Sequence, residues 1–97
     1  MNYVLSPGAE AELKEAVAFY AQNVSLAVAE NFLATFEQKA SLITDFPGIG
    51  TPSVNNRRLF PIGRYPLSML YRLEGNEVRI SAIAHHSRGP GYWQRVS

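Results

Sequence analysis

The sequence predicts an α+β domain in which a helical hairpin packs on one face of a largely antiparallel sheet. Two observations lead to this prediction: apolar residues recur at helical spacing through the first half of the 97-residue chain and at alternating spacing through the second half. The predicted order of elements is β-α-α-β-β-β. Residues 1–97 are expected to form a single domain, because no repeat or linker divides the chain.

Two helices are predicted in the first half. Ser6 and Pro7 suit the N-cap and first turn of a helix that we place at about 8–22. Ser25 can cap a second helix, which ends at Phe46. The stripes expected to be buried are Ala9, Leu13, Ala16, Val17 and Tyr20 in the first helix and Val28, Phe32, Phe36, Ala40 and Ile43 in the second. Because the connection is short, the two helices are expected to run antiparallel.

Runs of β-prone or alternating apolar residues predict four strands, at residues 3–5, 57–62, 66–73 and 77–86. The composition of residues 47–56, rich in proline, glycine and asparagine, predicts a loop. Pro61 places the second run at an edge or a bulge. The last two runs, with the polar turn between them, predict a hairpin. Alternation in the final strand predicts one face with Val78, Ile80, Ala82 and Ala84, and the other with Arg79, Ser81, Ile83 and His85. The small alanines are expected to let the helices approach closely.

Charge is divided unevenly between the two halves, although the net charge is only +1. The first fifty residues carry two lysines and six acids, whereas the remainder carries seven arginines, no lysine and two acids. Arginine is favoured where a planar, bidentate contact to phosphate or carboxylate is needed. Two interpretations remain open: a solvated surface on which charges segregate, or a basic sheet face directed at nucleic acid or at an acidic polypeptide.

Several classes of site are excluded by composition and spacing. With 0 cysteines, the chain has no disulfide framework, thiolate metal site or cysteine nucleophile. His85 and His86 are adjacent and would point to opposite faces of a strand, so no metal site is predicted, and no cofactor is expected. The Gly48-Ile49-Gly50 turn leads toward a strand and is not a phosphate loop. No signal peptide or apolar span of about 20 residues is visible, which predicts a soluble, cytosolic protein without a membrane partner.

Residues that can carry chemistry are concentrated between residues 82 and 95. This stretch holds both histidines, two arginines, Tyr92 and Trp93, the single tryptophan of the chain. In one interpretation the aromatic residues seal the edge of the sheet with Arg88 stacked on them. In another, the same residues form a protein-docking surface, since tryptophan, tyrosine and arginine are the usual anchors of interfaces.

A third interpretation of this stretch is RNA cleavage without a metal ion. That reaction needs a base for the 2′-hydroxyl proton, an acid for the leaving oxygen and cations on the phosphorane. Histidine side chains titrate in the right range to be base or acid, which makes His85 a candidate, and Tyr92 could also donate a proton. The cations that could neutralise the phosphorane are Arg64, Arg79 and Arg88.

Four patterns, together with the order of elements, resemble the RelE/ParE superfamily of small toxins from type II toxin–antitoxin modules. The patterns are Glu12-Leu13…Phe19-Tyr20, Ile43-x-x-Phe46-Pro47-x-x-Gly50-x-Pro52, Tyr71-Arg72, and Val78-x-Ile80-x-Ala82-Ile83-x-His85-x-x-Arg88-x-Pro90-x-Tyr92-Trp93. The resemblance covers residues 3–95. It implies the same α+β fold and a toxin that stops bacterial growth until a cognate antitoxin covers it.

The resemblance implies one of two activities, and the fold does not choose between them. RelE-like members are ribosome-dependent endoribonucleases that cut mRNA, whereas ParE-like members inhibit DNA gyrase, so that cleaved DNA accumulates. The Pro90-x-Tyr92-Trp93 ending is closer to ParE-like members, although Arg88-Gly89 replaces their more frequent pair of arginines. The strands contain no lysine, and the isoelectric point of about 8.1 is weakly basic for a protein that docks on ribosomal RNA.

We therefore expect a ParE-like toxin that poisons gyrase and has no catalytic residues of its own. The alternatives are a RelE-like mRNA interferase, acting on ribosome-bound mRNA, and a degenerate member that is not toxic and only binds its antitoxin. The residues that would form the ribonuclease site are His85, Arg88, Tyr92 and Arg64. The residues expected to bind target or antitoxin are Arg57, Arg58, Arg64, Arg79, Arg88, Tyr92, Trp93 and Arg95. The expected assembly is a toxin–antitoxin hetero-oligomer.

Overall fold

Two α-helices and five strands are present in the computed structural model, which describes residues 2–86. The elements are β1 (Asn2–Leu5), α1 (Pro7–Asn23), α2 (Leu26–Asp45), β2 (Thr51–Pro52), β3 (Arg58–Pro61), β4 (Leu67–Glu74) and β5 (Glu77–His85). The strands form one sheet in the order β1-β5-β4-β3-β2. β1 runs parallel to β5, and the other three pairs are antiparallel. The predicted α+β class and largely antiparallel sheet are therefore confirmed.

Both helices begin at the predicted caps. The Ser6 hydroxyl accepts a hydrogen bond from the backbone N–H of Ala9 at 3.1 Å, and Ser25 does the same for Val28 at 3.1 Å. Such bonds satisfy backbone donors that have no partner within the helix. The fixed φ of Pro7 suits the first helical position, so α1 begins there, one residue before the predicted start.

The core lies between the helices and one face of the sheet. From α2 it takes Phe32, Phe36, Ala40 and Ile43, and α1 contributes Ala9 with the partly buried Leu13, Ala16, Val17 and Tyr20. These residues belong to the predicted stripes. An aromatic cluster ties the hairpin to the turn before β4, because the Tyr65 ring lies 4.9 Å from Phe32 and 5.3 Å from Tyr20, centroid to centroid.

The predicted loop at residues 47–56 contains the short strand β2, which the predicted order of elements lacked. β2 pairs with the first two residues of β3 and forms one edge of the sheet. The connection is anchored by Tyr71, whose hydroxyl accepts from the N–H of Gly50 at 3.0 Å and donates to the carbonyl of Pro47 at 2.7 Å. A Cβ added at Gly50 would lie 2.6 Å from that hydroxyl, so the close approach requires glycine.

A β-bulge at Ser81 makes part of the predicted facing of β5 wrong. The residues of β4 that pair with Ile80 and Ala82 are consecutive, so Ser81 has no partner across the hairpin. The extra residue shifts the alternation by one. As a result Ile83, rather than Ala82 or Ala84, joins the core beneath the helices.

The bulge is held by the residue that caps α1. The Ser6 hydroxyl donates to the carbonyl of Ser81 at 3.0 Å, and its backbone N–H donates to the carbonyl of Ile80 at 3.0 Å. Beyond β1, the N–H of Ile83 donates to the Glu12 carboxylate at 2.9 Å. The first turns of α1 therefore satisfy backbone groups of β5 that β1 does not reach.

Within residues 2–86, neither helix is long and apolar enough to cross a bilayer. The same residues contain no cluster of three or more histidine, aspartate or glutamate side chains that could hold a metal ion.

Candidate functional site

Three arginines lie side by side on β4, on β5 and at the residue that precedes β3. Arg72 and Arg79 are direct partners in the β4–β5 ladder. Arg58 pairs with Tyr71 in the antiparallel β3–β4 ladder, which places Arg57, the residue before β3, opposite Arg72. We call Arg57, Arg72 and Arg79 the arginine ladder.

The arginine ladder lies on the sheet face away from the helices. Tyr71 and Ile80 are core residues beneath the helices, and Arg72 and Arg79 are their immediate neighbours along the strands. Because successive side chains of a strand point to opposite faces, both guanidinium groups point away from the hairpin. Both residues are partly exposed.

Arg57 forms the buried end of the ladder. It is only 5% exposed, and its Nε–H donates a long hydrogen bond of 3.4 Å to the hydroxyl of Ser81 in the bulge. Burial, and secondly the charge of Arg72, lower the pKa of the Arg57 guanidinium from its usual value. Among residues 2–86, no carboxylate forms an ion pair with Arg57 or Arg79. Like charges on paired strands destabilise a sheet, so the ladder is an electrostatic cost to the fold.

Two acids stand next to the ladder on the same two strands. Glu74 pairs with Glu77 across the hairpin, two residues beyond the Arg72–Arg79 pair. The Glu74 carboxylate accepts from Nη2 of Arg72 at 2.8 Å and from its Nε at 3.0 Å. Since this contact is partly exposed, it adds little stability. The surface thus carries a positive pair and a negative pair, about 7 Å apart along the strands.

A second surface, which we call the α1–β5 groove, lies at the other end of β5. Its volume is about 670 Å³, and it is lined by Glu12, Glu15, Ala16, Phe19, Tyr20, Pro66, Leu67, Ile83 and His85. The lining is mainly apolar, and the Phe19 side chain is 56% exposed there. His85 lies on the groove side because the bulge at Ser81 exchanges the faces of the last residues of β5. The charged residues that line the groove with His85 are Glu12 and Glu15, and both are acids.

The described candidate residues do not form a single site. Arg58 lies on the helix side of the sheet, where its Nη1 donates to the carbonyl of Gly50 at 2.7 Å, and it therefore does not join the ladder. Arg64 is exposed in the turn between β3 and β4. Arg79 and His85 are six residues apart on β5, which separates them by roughly 20 Å. Four candidates lie outside the described residues: Arg88, Tyr92, Trp93 and Arg95.

Of the three residues of the arginine ladder, Arg72 was not among the candidates predicted from the sequence. A signal for it was present in the sequence, because Gly75 and Asn76 are typical residues of a two-residue hairpin turn, and in the structure Gly75 adopts the positive φ, 63°, that such a turn requires. Counting outward from a two-residue turn brings Arg72 opposite Arg79. The two-residue length of the turn between Glu74 and Glu77 therefore determined the register of the two strands.

Comparison with known proteins gives a family and a fold. A family model described as "ParE toxin of type II toxin-antitoxin system, parDE" matches residues 3–90. Among solved structures, the chain is similar to one described as "Chromosomal ParDE TA system from P. aeruginosa". The sequences are 23% identical, the match covers 88% of this chain and 95% of that chain, and the TM-score is 0.79. At that identity the likeness supports the fold. No curated protein matches the sequence.

Proposed function

Because the chain belongs to the ParE toxin family of type II toxin–antitoxin systems, we propose that it arrests bacterial growth by poisoning DNA gyrase. The observation that carries the proposal is the family match across residues 3–90. Gyrase poisoning is the activity that resemblance to ParE-like members implies. A cognate antitoxin would neutralise the toxin in a hetero-oligomer, and both would act in the cytoplasm, where gyrase meets DNA.

The distribution of charge supports a protein target over an RNA target. Affinity for RNA depends on many phosphate contacts by lysine and arginine. The α1–β5 groove beside His85 instead presents Glu12 and Glu15, and the arginine ladder is followed directly by Glu74 and Glu77. A phosphate backbone crossing either surface would meet carboxylates, whereas a folded protein can match alternating charges.

The alternative, a ribosome-dependent mRNA interferase, rests on the exposed His85 at the end of β5. A histidine there could act as base or acid only with cations beside it to stabilise the phosphorane. Among the described residues, no arginine or lysine lines the groove that His85 borders. Its remaining proposed partners would be Arg88, Tyr92 and the exposed Arg64.

We propose that Arg88, Tyr92, Trp93 and Arg95 contribute to the surface that contacts gyrase. Tyrosine, tryptophan and arginine anchor protein interfaces through large, partly polar contacts. This assignment rests on their residue types and on the resemblance of the ending to ParE-like members.

Inducible expression in a bacterial host tests the proposed function. Induction is expected to stop growth, to trap gyrase on cleaved chromosomal DNA and to activate the DNA-damage response. The readout is the gyrase–DNA adduct itself, which reports gyrase poisoning directly. Normal growth at high expression would identify a degenerate member that only binds its antitoxin. Arrested growth with shortened mRNA and intact chromosomal DNA would instead indicate the interferase.

A further inference from the structure

The arginine ladder has more positive charge than the described structure neutralises. Of its three guanidinium groups, only that of Arg72 has a carboxylate partner among residues 2–86. Arg57 is 5% exposed, and within residues 2–86 its guanidinium donates a long hydrogen bond of 3.4 Å to the Ser81 hydroxyl. A mostly buried cation without a carboxylate partner is costly, and an anion bound beside the ladder would offset part of that cost.

We propose that the arginine ladder binds one carboxylate side chain of the antitoxin, while Glu74 and Glu77 bind a basic side chain of the same segment. The antitoxin is the occupant because the chain is taken as a ParE-type toxin, so this inference rests on the proposed function. The antitoxin segment is therefore predicted to carry opposite charges about 7 Å apart, matching two residues along an extended strand.

The geometry of the ladder favours a carboxylate. The planar fork of arginine matches the two oxygens of a carboxylate in a bidentate contact. Arg72 and Arg79 are partly exposed and can reach a ligand from two neighbouring strands, and Arg57 forms the buried end of the row. Binding would also relieve the repulsion between the neighbouring arginines, so the affinity gained at this point would exceed that of an isolated surface ion pair.

The neighbouring acids select against a polyanion. Glu74 and Glu77 are direct partners, and the former already contacts Arg72 at 2.8 Å. A nucleic-acid backbone places negative charges at regular, close intervals and would set a phosphate near this pair. A segment that alternates an acid and a base would instead find an opposite charge at both positions.

NMR titration of the full chain tests this inference, with the arginine Nε–Hε signals as the readout. The first probe is an extended heptapeptide in which glutamate and lysine alternate at every second position with threonine between them. The second has glutamate at all of those positions, and the third is a single-stranded RNA heptamer. We expect the mixed-charge peptide to shift Arg72 and Arg79 and to bind about tenfold more tightly than the all-acidic peptide at low salt, because repulsion from the acidic pair is absent.

Two variants and one control sharpen the test. Arg72→Gln is expected to abolish the shift of the Arg79 signal on addition of the mixed-charge peptide. The control is Lys14→Gln, at an exposed position of α1: it removes the same charge and is expected to leave binding unchanged. The double variant Glu74→Gln/Glu77→Gln is expected to erase the preference for the mixed-charge peptide. Backbone amide spectra confirm that each variant is folded.

The inference is overturned if no probe shifts the ladder, or if the all-acidic peptide or the RNA binds as tightly as the mixed-charge peptide. Its failure can be told apart from failure of the proposed function, because the titration contains no gyrase. Peptide binding by a protein that leaves gyrase unaffected would keep the ladder as an acceptor and reject the proposed function. Gyrase poisoning by a protein whose ladder binds no peptide would reject the acceptor alone.

Discussion

Replacing Tyr71 with phenylalanine removes one oxygen atom that holds the connection between α2 and β3. The residue is 1% exposed, and its hydroxyl bonds to the N–H of Gly50 at 3.0 Å and the carbonyl of Pro47 at 2.7 Å. Because Gly50 is buried, its N–H would lose its partner without gaining water, at a cost of about 1–3 kcal/mol. Pro47 is only partly buried, so loss of the second bond adds about 1 kcal/mol.

The expected loss for Tyr71→Phe is therefore about 2–4 kcal/mol in the free energy of unfolding. In a domain of this size such a loss lowers the melting temperature by at least about 10 °C. Urea denaturation followed by circular dichroism measures it, and the slope with urea should stay unchanged. Tyr65→Phe is the matched control: its hydroxyl donates to the side-chain oxygen of Asn31 at an exposed site, and its removal should cost less than about 1 kcal/mol. Equal losses for both variants, or a loss below about 0.5 kcal/mol for Tyr71→Phe, would refute this account of the connection.

Three further outcomes are expected. Glu12→Ala should lower the free energy of unfolding, measured by urea denaturation, by about 1–3 kcal/mol, because the N–H of the buried Ile83 loses its acceptor. A loss no greater than that of the control Glu15→Ala would contradict this role of Glu12. Arg57→Met should leave stability unchanged or raise it by about 1 kcal/mol, since it removes a buried cation that has no carboxylate partner within residues 2–86. A large loss would show that Arg57 has a structural role. Burial raises the pKa of Tyr71, so the unfolded chain releases the phenol proton first; stability should fall as pH rises above about 10, and more weakly in Tyr71→Phe.

A separate prediction concerns the proposed contact residues near the end of the sequence. A chain that ends at residue 87 is expected to lose toxicity while its circular dichroism spectrum and cooperative melting are retained. The expectation follows because the core described above lies within residues 2–86. Growth after induction and purified-protein melts measure the two properties independently. A truncated chain that is still toxic would place the functional surface elsewhere.

Local patterns predicted the helices and strands well because each depends on short-range physics. Ser6 and Ser25 are caps whose effect is confined to one helical turn. The apolar stripe of α2 predicted its buried face for the same reason, since helical periodicity alone determines which residues share a side.

The bulge and the edge strand β2 were not predictable from such patterns. Ser81 shifts the alternation of β5 because the Ser6 side chain, 75 positions away, bonds to its carbonyl. β2 exists because Tyr71 fixes the backbone at Gly50, 21 positions away. Both features depend on contacts between distant parts of the chain, which periodicity does not encode.

The same limit applied to the candidate site. Seven arginines in one half of the chain predicted a basic surface, but the sequence did not show which of them lie on it. Arg57 and Arg58 are adjacent in sequence, yet they lie on opposite faces of the sheet, and only the first belongs to the arginine ladder. The two acids that follow the ladder became visible once the β4–β5 register placed Glu74 opposite Glu77.

The measurement that tests the central claim most directly adds the purified protein to two reactions in parallel. One contains DNA gyrase with relaxed plasmid, and the other contains translating ribosomes with end-labelled mRNA. We expect loss of supercoiling and accumulation of gyrase-cleaved plasmid while the mRNA remains intact. Codon-phased cuts in the mRNA with normal gyrase activity would contradict it, and would make His85, Arg64, Arg88 and Tyr92 the residues to replace singly.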